Sequence, residues 1–170
     1  MASNNLIDFI RKWEGVKRNP YLDVAGVPTI GVGFTTYLDG TKVTMQDPPL
    51  DDIQINRILS VKLDEFTRNV KAILGSELCT FLPQNCIDAL ISFSYNLGCN
   101  SLKKSTLLKK IKANKNDIVA IKAEFMKWVN AGGKPVEGLK RRRNAEAEMY
   151  IDGIMSQYTK RELIKMYCGI

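Results

Sequence analysis

Residues 13–35 read W-E-G-V-K-R-N-P-Y-L-D-V-A-G-V-P-T-I-G-V-G-F-T, and within them the apolar spacing changes character. Upstream, Leu6, Ile10 and Trp13 recur at i, i+4 and i+7 with Ile7 alongside, which predicts a short amphipathic helix over 4–13 capped by Ser3. Glu14 and Gly15 follow at once. Glu14 therefore falls at the C-terminal end of that helix, where the dipole disfavours negative charge and raises a carboxyl pKa. Downstream, residues 20–50 hold Gly26, Gly31, Gly33 and Gly40 with Pro20, Pro28, Pro48 and Pro49. Between these breakers lie β-prone runs at 29–34 and 42–44, which predict a small antiparallel sheet with tight turns.

From Asp51 the helical period returns. Ile55, Leu59, Leu63, Phe66, Val70 and Ile73 recur at steps of three or four, one long helix capped by Asp51 or Asp52. Pro83 opens another helix that runs to Gly98. Shorter helices are expected at 106–112 and 116–130, a loop at 131–135, a helix at 138–152, and a last one to about Met166 behind a Thr159/Glu162 capping box. The expected fold class is α+β in a single domain. A small antiparallel sheet lobe (about 14–50) is joined by the long helix (about 51–74) to a mostly helical lobe (about 75–170, with the N-terminal helix 4–13).

Composition narrows the chemistry. The 170 residues contain no histidine, which excludes Ser-His-Asp and Cys-His catalysis and His-ligated zinc hydrolases. Proton transfers in a cofactor-free enzyme then fall to Asp, Glu, Lys or Tyr. Lys plus Arg outnumber Asp plus Glu by 25 to 18, so the net charge of +7 favours a polyanionic partner. Cys79, Cys86, Cys99 and Cys168 form no C-x-x-C pair and no zinc spacing, so free thiols are the expectation, with a later disulfide left open. No metal and no cofactor are expected. The start, M-A-S-N-N-L-I-D-F-I-R-K-W, reads as neither signal peptide nor anchor, and no run approaches the ~18 apolar residues of a membrane span.

Glu14 and Asp23 are the carboxyl pair that could cleave a glycosidic bond. That reaction needs one protonated carboxyl to release the leaving oxygen, and usually a second, ionised one to activate water or attack directly. Glu14 ends a helix beside Trp13, while Asp23 lies in a polar turn. Taken alone the pair is also what an ordinary helix end and turn would carry.

The surrounding residues add to this. W-E-G at 13–15, Y-L-D at 21–23 and G-V-P-T-I-G-V-G-F-T at 26–35 resemble the catalytic signature of the phage-type lysozymes, glycoside hydrolase family 24. Glu14, Asp23 and Thr29 have that family's spacing. Two later segments, S-F-S-Y-N-L-G at 92–98 with S-T-L-L at 105–108, and N-A-G-G-K-P-V-E-G-L-K-R-R-R-N-A-E at 130–146, are similar to its cleft helix and its G-L-x-x-R-R-x-x-E segment. Phe34 stands where the family often has His.

The resemblance implies a lysozyme-like fold and an endolysin-type muramidase. Glu14 would be general acid, with Asp23 and Thr29 holding the attacking water. Sugar contacts would come from Gly33, Phe34, Tyr95, Asn96, Leu97 and Arg142, the last matching an arginine that approaches the family's acid. The implied partner is the peptidoglycan glycan strand, met by a monomer. The enzyme would be made in the host bacterial cytoplasm and released by a separate membrane-permeabilising protein. Two rivals stand beside this. A lytic transglycosylase would use Glu14 alone and leave a 1,6-anhydro product. A basic non-catalytic module would bind wall or nucleic acid. The first is opposed by the joint presence of Asp23 and Thr29, the second by the intact set of three.

Other features read more simply. The run Arg141, Arg142, Arg143 is expected on a solvated helix face, and without interleaved aromatics it is a poor nucleic-acid patch. Trp13 and Trp128 are expected in the core.

Overall fold

The computed structural model describes residues 3–159 and Glu162, so the predicted helix to Met166, and Cys168, lie outside the described residues. The chain divides into two compact units, up to Thr67 and from Arg68 onward.

The first unit opens with α1 (Asn4–Glu14). Ser3 caps it by accepting from the Leu6 amide at 3.1 Å, and Gly15 at φ 75° ends it by donating to the Arg11 carbonyl. Leu6 and Ile10 are its buried stripe. Strands β1 (Lys17–Leu22) and β2 (Pro28–Gly31) follow and pair antiparallel, with Tyr21 opposite Thr29 and Leu22 opposite Pro28. The register shifts between Lys17 and Tyr21, where Pro20 has no amide to donate. Sequence periodicity missed β1 because it opens with charged and polar residues and Pro20 and shows no apolar alternation before Tyr21 and Leu22.

Two other sheet expectations are corrected. The run 29–34 is not one strand. β2 ends at Gly31, and Ile30 and Phe34 exchange backbone hydrogen bonds of 2.9 Å each way across a reversal at 31–33. The run 42–44 contributes only an isolated bridge, Thr36 to Lys42. Gly31 is needed at the reversal for two reasons. Its φ is 67°, and a Cβ there would stand 2.6 Å from the Phe34 ring.

Helix α2 (Asp52–Leu74) begins behind a reciprocal cap, Asp51 accepting from the Gln54 amide and Gln54 from that of Asp51. Its first turns anchor the rest of the unit. Asp52 accepts from Arg11 of α1 at 2.8 Å and from Arg18 of β1 at 2.5 Å.

The second unit contains the end of α2, then α3 (Ser76–Phe81), α4 (Gln84–Leu97), α5 (Cys99–Lys104), α6 (Thr106–Ala113), α7 (Ile118–Phe125) and α8 (Glu137–Met155). Between α7 and α8 lies a two-residue hairpin, β3 (Asn130–Ala131) with β4 (Lys134–Pro135), where a loop was expected. The short α3 and α5 were not foreseen, since six residues are too few to display a period. Helix α7 is shorter than expected, capped by Asp117 and ending at Phe125.

Helix α4 is the axis of this unit, with every residue from Cys86 to Ser94 buried. Phe93 meets Phe125 edge-on at 5.8 Å and Trp128 at 5.3 Å. Helix α8 lies against α4 at close range because Gly153 has no side chain. A Cβ at Gly153 would sit 2.7 Å from Cys86 Sγ and 3.0 Å from its amide nitrogen. Cys86 donates to the Tyr150 carbonyl at 3.2 Å, and burial pushes its thiol up to about 12. Cys79, Cys86 and Cys99 form no disulfide among the described residues. No helix among the described residues is long and apolar enough to cross a membrane.

Gly153→Ala is expected to overpack the α4–α8 contact and cost roughly 1–3 kcal/mol. Gly31→Ala should cost a similar amount through strain and the Phe34 clash, roughly 1–3 kcal/mol. Gly138, with open space around it, should accept Ala without loss. Thermal melting of the three variants checks this, and a Gly153→Ala protein melting with wild type would refute the close-packing account. Stability should also fall in acid. Asp39 (through Thr41), Asp47 (through Thr44 and Tyr37) and Asp52 (chiefly through Arg11) are held below the ordinary aspartate value. A depressed native pKa stabilises above the unfolded value of about 4, and that contribution disappears as pH drops below it. Urea midpoints flat from neutrality down to about pH 5 and declining below it are the expected result.

Candidate active site

The residues singled out in the sequence fall into two groups, one in each unit. In the first unit, Glu14 is the last residue of α1 and is exposed. Only Gly15 and Val16 separate it from β1, so the end of α1 and the start of the hairpin are fixed to one another by chain connectivity and by their shared anchor, Asp52.

Asp23 opens the turn that joins β1 to β2. One of its carboxylate oxygens, Oδ1, accepts from the Ala25 amide at 2.8 Å and the Val27 amide at 2.9 Å. Its own amide donates to the Val27 carbonyl, and its carbonyl accepts from Gly26. The five-residue turn is thus organised around this side chain, a geometry Asp favours because its oxygen reaches backbone amides two and four residues on. Oδ2 accepts no hydrogen bond from any described residue. Thr29, on β2, is 2% exposed, and its hydroxyl donates to the Val27 carbonyl at 2.9 Å. Asp23 and Thr29 are therefore held through the same residue, Val27.

Gly33 is exposed in the reversal after β2. Phe34 is a correction. It was expected to touch sugar, yet it is 1% exposed and its ring fills the space that a Gly31 side chain would need. Lys62 stands 5.7 Å from the ring centroid and reaches Thr36, so Phe34 supports the turn from beneath.

In the second unit, Tyr95, Asn96 and Leu97 form the last turn of α4 and are each half-buried. The arginine run is the main surprise. Arg141 is exposed, but Arg142 is 4% and Arg143 0% exposed, so the expected solvated face is overturned. Both surround Glu146, itself 0% exposed. Arg142 Nε donates to Glu146 Oε1 at 3.2 Å, Arg143 Nε lies 3.1 Å from Oε2, and Ser92 on α4 donates to Oε1 at 2.6 Å. Arg143 also donates to Asn96 at 2.9 Å and stacks 5.1 Å over Phe93. The cause is periodic, since Arg142 and Arg143 precede Glu146 by four and three residues on one helix face. That spacing was visible in R-R-x-x-E and could have identified the cluster. Burial pushes the Glu146 carboxyl up, opposed by Arg143, by the Ser92 hydroxyl and by Arg142.

Residues 11–146 match the phage lysozyme family. The chain belongs to that family. It is 33% identical over 145 residues to an endolysin of Acyrthosiphon pisum secondary endosymbiont phage 1, covering 83% of this chain and 91% of the relative. It is 32% identical over 140 residues to a SAR-endolysin of Bacteriophage PS119, covering 82% and 77%. In three dimensions it resembles the endolysin from Escherichia coli O157:H7 phage FAHEc1, with a TM-score of 0.77, 32% identity, and 94% and 97% of the two chains covered. The α+β lysozyme-like fold and the glycoside hydrolase class expected from the sequence follow from this membership. The matched span includes both groups of residues described above and ends on Glu146.

Removing the carboxylate at the centre of the arginine pair should be severe. Glu146→Ala leaves two buried guanidiniums without their anion and should cost about 3–5 kcal/mol. Glu146→Gln keeps the shape and the Ser92 contact and should cost less. Urea unfolding of the two variants checks the order, and equal midpoints would mean that charge plays no part.

Proposed function

We propose that this phage lysozyme-family enzyme works as an endolysin-type muramidase, hydrolysing the β-1,4 bond between N-acetylmuramic acid and N-acetylglucosamine in peptidoglycan. The observation that carries the residue assignment is the Asp23 turn. Two backbone amides clamp one carboxylate oxygen and leave the other open, while the Thr29 hydroxyl is aimed by its bond to Val27. A rigid acceptor and an oriented hydroxyl carried on one hairpin suit a water nucleophile, because the water must be held before the glycosidic bond breaks.

In this reading Glu14, exposed at the end of α1, donates its proton to the leaving glycosidic oxygen. Asp23 Oδ2 accepts a proton from water as the water attacks the anomeric carbon from the opposite face, and Thr29 Oγ1 orients that water. The configuration inverts and the product is the α-anomer. Tyr95, Asn96 and Leu97 contribute sugar contacts. Gly33 allows close approach of backbone to sugar, and Arg142 acts through the Glu146 cluster rather than as a free cation. The chain acts as one lysozyme domain and as a monomer, without cofactor. It is made in the bacterial host and reaches the wall after a separate protein permeabilises the membrane.

Mass spectrometry of muropeptides released from purified peptidoglycan tests the reading. Reducing-end products are expected from the wild type. Glu14→Gln and Asp23→Asn should each lose about 100-fold or more in rate, as for removal of a proton-transfer group, and Thr29→Ala somewhat less. Anhydro products would transfer the enzyme to the transglycosylases. Nuclear magnetic resonance of the first-formed anomer should give α, and a β product would remove Asp23 from the water-holding role.

A further inference from the structure

Between Asp88 and Asp117 the chain carries Lys103, Lys104, Lys109, Lys110, Lys112 and Lys115 and not one Asp or Glu. Folding gathers these lysines at α5, α6 and the turn after α6. Helix α6 buries Leu107, Leu108 and Ile111, so at about 100° per residue Lys109, Lys110 and Lys112 fan over its outer half. All three are exposed, as are Lys103 and Lys104 in the last turn of α5, just before the Ser105 cap of α6. None of these five forms an ion pair with a described residue. Elsewhere in the same unit Lys122, Lys127 and Lys140 are paired with Glu148, Glu124 and Glu137.

This cationic stretch borders a cleft of about 550 Å³ whose walls include Leu74, Leu78, Phe81 and Ile111 with Lys112 and Lys115. Glu77 is the acidic group on its wall among the described residues. Phe81, the last residue of α3, is 56% exposed at this opening. We propose that α5, α6 and the Phe81 cleft form a docking face for an anionic phospholipid bilayer. The lysines engage headgroup phosphates, and the exposed Phe81 ring enters the acyl boundary. A soluble polyanion would match the lysines but leave Phe81 in water. The apolar opening among unpaired cations is what selects a lipid surface. An enzyme seated in this way is kept at the membrane face of the wall.

Co-sedimentation of the full chain with vesicles tests the proposal, using equal phosphatidylglycerol and phosphatidylcholine against phosphatidylcholine alone. Binding is expected only to the anionic vesicles and should weaken as salt shortens the electrostatic range. Each surface lysine contributes roughly fivefold to partition, so Lys109→Gln with Lys110→Gln and Lys112→Gln should lose on the order of a hundredfold. Phe81→Gln should lose about tenfold through its apolar burial. A control with the same net charge, Lys42→Gln with Lys71→Gln and Lys140→Gln, should keep most of the binding. All variants should retain wild-type rates on isolated, lipid-free peptidoglycan, and circular dichroism reports that they fold. The proposal is overturned if anionic vesicles do not bind the chain, or if the control triple loses as much as the test triple. It is equally overturned if Phe81→Gln binds unchanged and polyphosphate displaces it as readily as wild type, which would assign the face to a soluble polyanion.

Discussion

A single carboxylate with no exposure to water, that of Glu146, sets the terms for the helical unit. Two guanidiniums buried on one turn of α8 would be intolerable without an anion, and the anion would be intolerable without them. Their pairing does more than neutralise. Ser92 brings α4 into the cluster, and Asn96 is held by the same Arg143 that contacts Glu146. The last turn of α4, which carries Tyr95 to Leu97, thus takes its position from α8. Phe93 adds its ring face beneath Arg143, so the charge cluster and the aromatic core are one packed region. Gly153 completes the arrangement two turns later by allowing α8 to approach Cys86 without obstruction.

In the first unit the organising constraint is smaller. The Asp23 side chain spends one oxygen on closing its own turn and keeps the other available. The proposed chemical role and the structural one would then fall on the same residue, held rigid by its own turn. Asp52 does the comparable work for α1 and β1, gripping an arginine from each. Both devices use carboxylates to tie short elements that bury little apolar surface. A small sheet has few side chains to pack, so hydrogen bonds and ion pairs carry a larger share of its definition.

The charge of the protein is unevenly used. Some cations are consumed inside, as Arg142 and Arg143 are, and others are paired on helix surfaces. The lysines of α5 and α6 remain without anions among the described residues, and the stretch borders the cleft where Phe81 is exposed. A net charge alone speaks of solubility and long-range attraction. Its distribution over one face speaks of a partner.

Local patterns decided much of this protein in advance. The helix 4–13 with its Ser3 cap, the long helix behind Asp51, the helix from Pro83 to Gly98 and the Thr159/Glu162 capping box were legible because each depends on residues within four positions of one another. The W-E-G, Y-L-D and T-I-G-V-G stretches identified the family by the same local means. What sequence alone did not decide depends on which groups meet after folding. β1 pairs across a turn despite its charged residues and Pro20. The run 29–34 breaks because Gly31 must leave room for the Phe34 ring. Two arginines of a run that local pattern would solvate are drawn inside, where Asn96 of α4, some 50 residues earlier in the chain, accepts from Arg143 and Ser92 donates to the Glu146 carboxylate that both arginines face. Helical spacing placed Arg142, Arg143 and Glu146 on one face, but only packing against α4 turned that face inward, where desolvation makes their pairing obligatory.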